Sequence, residues 1–261
     1  MEKNELTGGA GKSENRKALP RFIAIIIAAL LAGVGLGVGL VKAEEMDLPR
    51  VITEAVNGVM TAVAPWGIPV STAAVMGTAL WKYRAAKRKL RGWDGEDEDT
   101  ADAAEQDLNW ALAFTSLQTI LSLFFFAVAT VYIRDYPWLM ASAGLFLLAL
   151  FLIVVMQQKT VDLVKRINPE KRGSVYDTKF QKKWFESCDE AEQRQIGQAA
   201  YAAYTAASRA CMTLWVVLVC LGLVFDIGLL PAFSVLAVMG VLHMRYFMAC
   251  FQMSARKPGT E

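Results

Sequence analysis

The sequence predicts an all-α polytopic membrane protein, with six transmembrane helices forming three hairpins and both termini cytoplasmic. Three observations carry that expectation. Of the 261 residues 55% are hydrophobic and only 20% charged, mean hydropathy is +0.34, and the charges sit in blocks instead of along amphipathic faces. The uncharged stretches between those blocks approach the roughly 20 residues that a helix needs to cross hydrocarbon. With the N-terminus inside, all of the 27 basic residues except Lys42, Arg50 and Arg134 fall on the cytoplasmic side, the asymmetry that orients membrane helices. A net charge of +2 makes no case for a nucleic-acid partner; the partner that composition demands is a lipid bilayer.

The elements follow in order. Residues 1–21, with the polar run GGAGKSEN, are expected as a disordered cytoplasmic tail. Residues 22–156 are expected to hold transmembrane helices 1–4. The first, 22–41, is longer than the 7–15 residue core of a signal peptide, so cleavage is not expected. It carries glycines at 33, 35, 37 and 39. A dinucleotide loop needs G-x-G-x-x-G between a strand and a helix, and this spacing differs. On a helix Gly33 and Gly37, extended by Ala29, share one face, and Gly35 and Gly39 share the nearly opposite one. Two small-residue grooves on one helix suit close packing on both sides and leave room for association between copies of the chain.

Beyond the first span, Val51, Ile52, Ala55, Val56 and Val59 recur at helical spacing, predicting a short amphipathic helix on the outer surface. The second span, 59–81, contains Pro65 and Pro69 in APWGIP and is read as kinked or re-entrant. Residues 82–109 form a cytoplasmic loop, basic in WKYRAAKRKLRGW and then acidic in DGEDEDTADAAEQD. Its carboxylates lack the order of a calcium loop. Span three is 111–133, where the polar residues Gln118 and Ser122, with Thr115, Ser116 and Thr119, are expected to make interhelical hydrogen bonds, or to line a weak polar path. Span four is 137–156.

Residues 157–209 are expected as a cytoplasmic amphipathic segment. The fourth span's helix should continue until Asn168-Pro169 stops it. Tyr176, Phe180 and Trp184 then fall on one helical face with Lys179, Lys182 and Lys183 beside them, which reads as an interfacial, partner-facing helix. Ser187 and Glu190 match a capping box for the next helix. Residues 210–250 hold transmembrane helices 5 and 6, joined at Asp226 and Gly228, and 251–261 form a cytoplasmic tail.

Chemistry-bearing groups are sparse. His243 is the one histidine; Ser234 lies on the opposite helical face, and no G-x-S-x-G accompanies it. The four cysteines, Cys188, Cys211, Cys220 and Cys250, form no C-x-x-C, so neither disulfides nor a zinc site are expected. No catalytic residue, cofactor or metal ligand is assigned.

Two stretches, GSVYDTKFQKKWFESCDEAEQRQIGQAAYAAY and LWVVLVCLGLVFDIGLLP, resemble an uncharacterised family of bacterial, mostly Gram-positive, multi-pass membrane proteins labelled a domain of unknown function. Some of its members carry ABC-transporter membrane-spanning labels. The resemblance implies a bacterial plasma membrane and transfers no catalytic residue. The functional expectation is an accessory or interaction subunit, associated with a transport system, whose cytoplasmic loops meet a protein partner. The alternative is a transporter or permease-like subunit in its own right, with a membrane enzyme as the third reading.

Overall fold

The computed structural model describes residues 46–225 and 227–255, with 19–24, 26–28, 31, 33, 35, 37–39 and 42 before them. Those described between 19 and 42 are helical. Seven helices follow: α1 (Leu48–Val63), α2 (Gly67–Lys89), α3 (Glu98–Tyr132), α4 (Tyr136–Ile167), α5 (Phe180–Glu186), α6 (Glu190–Phe225) and α7 (Leu230–Ala255). No strand occurs among the described residues. Helices α3, α4, α6 and α7 are long and apolar enough to cross a membrane, and the α1–α2 pair, bent by 69°, brings the count to as many as five.

The expected first span lies partly outside the described residues, as do the tail at 1–18, Ala29 and Asp226. The expected second span over 59–81 is interrupted: the amphipathic helix runs as α1 to Val63, the chain turns at Ala64–Trp66, and α2 follows, a bend that fits the kinked or re-entrant reading. Pro65 denies the turn a backbone donor. Gly67 permits it: a Cβ there would stand 2.2 Å from the Phe125 ring on α3. One π-helical turn, Thr72–Met76, follows within α2.

The chain divides into two units, 55–207 and a second made of 1–54 with 208–261. In the second, Gly228 takes φ +70° between α6 and α7, a backbone conformation that glycine adopts without steric cost. His243 Nδ1 lies 2.8 Å from the Met239 carbonyl, one helical turn back.

In the unit 55–207, α2, α3 and α4 pack together, and the character of their exposed face changes along them. Through the apolar stretches, the side chains turned outward are Leu117, Ile120, Leu123, Phe124, Leu147 and Phe151, each exposed, while Thr115, Gln118, Ser122 and Ser142 are buried. Phe126 of α3 stacks on Phe146 of α4 at 4.3 Å. Toward the other end, Ala86, Ala104, Leu108, Leu163 and Val164 form a buried apolar cluster, covered by Tyr83, Leu90, Ile167 and Trp184. The interior is mixed at both ends, with Ala129, Ala149 and Ile153 buried in the apolar stretches and Asp107 and Thr160 buried in the head; it is the exposed face that changes, and an apolar exterior is what a hydrocarbon surround permits.

Helix lengths explain why both regimes occur on the same rods. Helices α3, α4 and α6 have 35, 32 and 36 residues, about 48–54 Å each at 1.5 Å per residue, against a hydrocarbon core of about 30 Å. The surplus of about 20 Å builds a polar head outside the apolar layer. Helix α4 ends at Ile167, before Asn168-Pro169, as the sequence indicates.

Asp107 ties the head together. It precedes the apolar stretch of α3 and accepts 2.8 Å hydrogen bonds from both Lys82 Nζ and Lys89 Nζ, two residues seven apart on one face of α2. Burial pushes its carboxyl up, and the hydrogen bonds and charges of the two lysines outweigh burial, holding it below the usual carboxylate range. A depressed folded pKa contributes stability that is complete above the unfolded value of about 4 and lost as pH falls through the folded one. Asp107→Asn is therefore expected to cost about 1–3 kcal/mol in denaturant unfolding of the detergent-solubilised protein at pH 7. The penalty should shrink below pH of about 4; a pH-independent penalty would contradict the ion-pair origin.

Candidate functional site

The most elaborated part of the head is the strap that joins α4 to α6, residues 168–189. A connection of this length without long secondary structure has its own hydrogen bonds to find, and it finds them on the two flanking helices. Gln158 of α4 accepts from Ser174 Oγ at 2.9 Å and from the Val175 backbone N–H at 2.7 Å, while its Nε2 donates to Asp162 at 2.7 Å. Lys165 donates to the Gly173 carbonyl. Gly173 itself takes φ +124° with the Phe180 ring packed over it.

Lys171 secures the other side. Its side chain is 4% exposed, and Nζ pairs with Glu192 and approaches Cys188 Sγ at 3.5 Å. A lysine this buried requires a counter-charge. Burial alone would lower its pKa, yet the hydrogen bond and charge of Glu192 bring the net shift upward, so it stays protonated. Glu192 is held low first by Lys171 and then by the Asp189 backbone N–H. Burial pushes the Cys188 thiol up, against the pull of Lys171.

Glu192 has a second task. Asp189 Oδ1 accepts from the Glu192 N–H at 2.8 Å, and Glu192 Oε2 accepts from the Asp189 N–H at 3.1 Å. This reciprocal pair is the capping box of α6. It replaces the Ser187–Glu190 box that the sequence suggested, because α6 begins at Glu190, one residue after Asp189. Ser187 Oγ instead accepts from the Arg172 backbone N–H at 3.0 Å and donates to the Trp184 carbonyl at 2.7 Å.

The strap residues singled out in the sequence separate by environment. Helix α5 starts only at Phe180, so Tyr176 lies outside it, in the preceding turn, and is exposed. Phe180 and Trp184 face each other at 5.6 Å, and Trp184 covers the apolar cluster of the head. Lys179 and Lys182 are exposed, Lys182 standing 3.6 Å from Glu186. Lys183 donates to Asp177, whose carboxyl it holds below the usual range. Between the strap, α3, α4 and the start of α6 lies a chamber of about 870 Å³, with Leu112, Val161, Phe185 and Ile196 on its apolar side and Asn109 and Gln195 on its polar side. Its volume falls within the range of small-molecule and peptide clefts.

The remaining expected residues lie elsewhere. Gln118, fully buried on α3, has Nε2 within hydrogen-bonding distance of Thr72 and Ser122 at 3.0 Å and of Ser71 at 3.3 Å, acceptors that share its two N–H donors beside the π turn; its Oε1 has no partner. Around Gly33, Gly35, Gly37 and Gly39 a Cβ would meet nothing within 4 Å. No group of three or more metal-ligating side chains occurs among the described residues.

A family model extends over residues 18–253, nearly the whole chain and all of the head. The chain belongs to that family, described as "Protein of unknown function (DUF3169)". No curated protein and no solved structure matches it. Membership in DUF3169 agrees with the resemblance noted in the sequence to an uncharacterised family, and it supplies no catalytic or transport role.

Sequence inspection missed Asp107, Lys171, Glu192 and Gln158. The signal for Glu192 was present as the D-x-x-E of a capping box one register along. The others declare themselves only once α2, α3 and α4 are known to adjoin. Replacing Lys171 with Met leaves Glu192 without its buried partner and should loosen the strap. In a variant keeping Cys188 as the sole cysteine, maleimide labelling of that thiol is expected to rise at least about tenfold, the measure of about 1.4 kcal/mol of lost protection. An unchanged rate would show that the pair does not hold the strap closed.

Proposed function

We propose that this DUF3169 protein is a non-catalytic subunit of a bacterial plasma membrane, six-spanning with both termini cytoplasmic, whose head docks a protein partner on the cytoplasmic side. The observation that carries this reading is the strap. The buried Lys171–Glu192 ion pair and a bidentate glutamine hold residues 168–189 against helices extended well beyond the apolar layer. That ordering costs conformational entropy, and it presents Tyr176 and Lys182 outward on a stiff support, which lowers the further ordering cost of binding.

The orientation draws on the charge asymmetry together with a contact inside the unit 55–207. The basic run of α2 and the strap share one end of the bundle, since Trp184 rests on the same cluster as Ala86. A transporter in its own right requires a polar path through the apolar layer. The Gln118 group is enclosed on all sides and saturated at Nε2, which favours helix packing over conduction. An accessory place in a transport system follows from the resemblance of the sequence.

Affinity purification of the tagged full-length protein in mild detergent is expected to recover a stoichiometric membrane or cytoplasmic partner, and Tyr176→Ala with Lys182→Glu should reduce its recovery at least fivefold with the melting temperature unchanged. Recovery of the chain alone, or of a partner indifferent to both substitutions, would count against the docking role. Reporter fusions after Arg88 and after Lys182 should both report the cytoplasm; opposite sides would refute the topology.

A further inference from the structure

On the flank of the head where α2 and α4 both end, a concavity of about 320 Å³ is lined by Lys87, Leu90, Arg91, Trp93, Leu163 and Arg166. Its floor is apolar: Leu163 is 4% exposed, and Leu90 belongs to the cover of the head's core. Trp93 forms one wall, its ring fixed by a 2.9 Å hydrogen bond from Nε1 to the Asp97 carbonyl. The rim carries three cations from two helices and the turn after one of them, and no carboxylate is among the lining residues. Among the described residues no ion pair engages Lys87, Arg91 or Arg166. The other lysines of the same helix behave differently, with Lys82 and Lys89 both committed to Asp107.

Cations are favourable at helix C-termini, and two helices end here, α2 at Lys89 and α4 at Ile167. The last turns of both helices are basic, with Lys87, Arg88 and Lys89 on α2 and Lys165 and Arg166 on α4, more cations than the half negative charge of each terminus calls for. A phosphate monoester carries about −1.5 to −2 at neutral pH and is the kind of anion three rim cations would attract. Two guanidiniums offer the forked donors that phosphate oxygens accept, and the Trp93 wall with its leucine floor suits an apolar or ring-shaped body attached to the phosphate.

Depth decides the source. Lys87 stands six residues past Trp81 and Arg166 ten past Met156, so the rim lies about 9–15 Å beyond the apolar stretches. The headgroup layer is only about 5–8 Å thick on each side.

We propose that Lys87, Arg91 and Arg166, with Trp93, form a binding site for the phosphate group of a small soluble phosphate monoester. The site is separate from the strap and independent of the docking reading. The test uses the full chain in zwitterionic nanodiscs, titrated with inorganic phosphate and with adenosine 5′-monophosphate as probes, with chloride at matched ionic strength as control, and read by 31P line broadening and tryptophan fluorescence. Saturable binding is expected, weakened at least tenfold in the Arg91→Gln/Arg166→Gln double variant and unchanged in Lys182→Gln. All of these side chains are exposed, so melting curves should coincide and certify the fold. A parallel arm in nanodiscs with anionic phospholipid separates the sources: competition with the soluble probe there, dependent on Arg91 and Arg166, would retain the phosphate site and assign it to headgroups, overturning the soluble source. No saturable binding of either probe, or binding indifferent to the double substitution, would overturn the proposal.

Discussion

Along α3 the solvent changes, and the side chains change with it. The enclosed side chains are mixed along its length, Asp107 beside Leu108 and Gln118 and Ser122 before Val128 and Ala129, whereas the exposed ones turn apolar at Leu117, Ile120 and Leu123. From there on its outer face is apolar enough for the helix to cross a membrane. In water, burying Leu108 removes apolar surface and contributes about 1.5–3 kcal/mol. In lipid the same exchange gains nothing, because the acyl chains are as apolar as a leucine, and association rests on close packing and interhelical hydrogen bonds instead. The remaining architecture follows from helices of about 50 Å meeting a layer of about 30 Å.

The surplus length has to be stabilised by other means, and charge does much of it. Asp107 between Lys82 and Lys89, and Glu192 against Lys171, join neighbouring segments of the head, and each carboxylate lies partly or largely out of water. Such pairs contribute modestly to net stability but are costly to break singly, since one partner is then left buried and uncompensated. They therefore fix which surfaces meet more than how strongly they hold. Glu192 concentrates this role, closing the α6 cap and the strap with one carboxylate. A chamber lined by the strap and α3 and a cationic hollow where α2 and α4 end belong to the same framework.

Periodicity and composition made the rods legible, including the amphipathic helix before the bend, the stop at Asn168-Pro169 and the polar residues turned inward on α3. The bend itself was only half readable. Pro65 and Pro69 announce an interruption, but its angle is set by Gly67 lying against Phe125, a contact between residues far apart in sequence. The strap was misread for a related reason. Tyr176, Phe180 and Trp184 are spaced as on one helix, yet Gly173 and the hydrogen bonds to Gln158 hold the chain in turns until Phe180. Local spacing states what a segment can do if nothing else binds its backbone, and here something does. Arg166 joining Lys87 and Arg91 is a still more distant juxtaposition, invisible until α2 and α4 are seen to end together.

The change of solvent along α3 can be measured directly. Nitroxides placed singly at Asn109, Leu117 and Leu123 in liposome-reconstituted protein report collision with oxygen, which enriches in hydrocarbon, and with a water-soluble nickel chelate, which is excluded from it. The account predicts nickel accessibility at position 109, falling through 117 to a minimum at 123, with oxygen accessibility rising in step. Equal nickel accessibility at 109 and 123 would mean that water surrounds the whole helix, and the apolar outer face of α3 would lose its explanation.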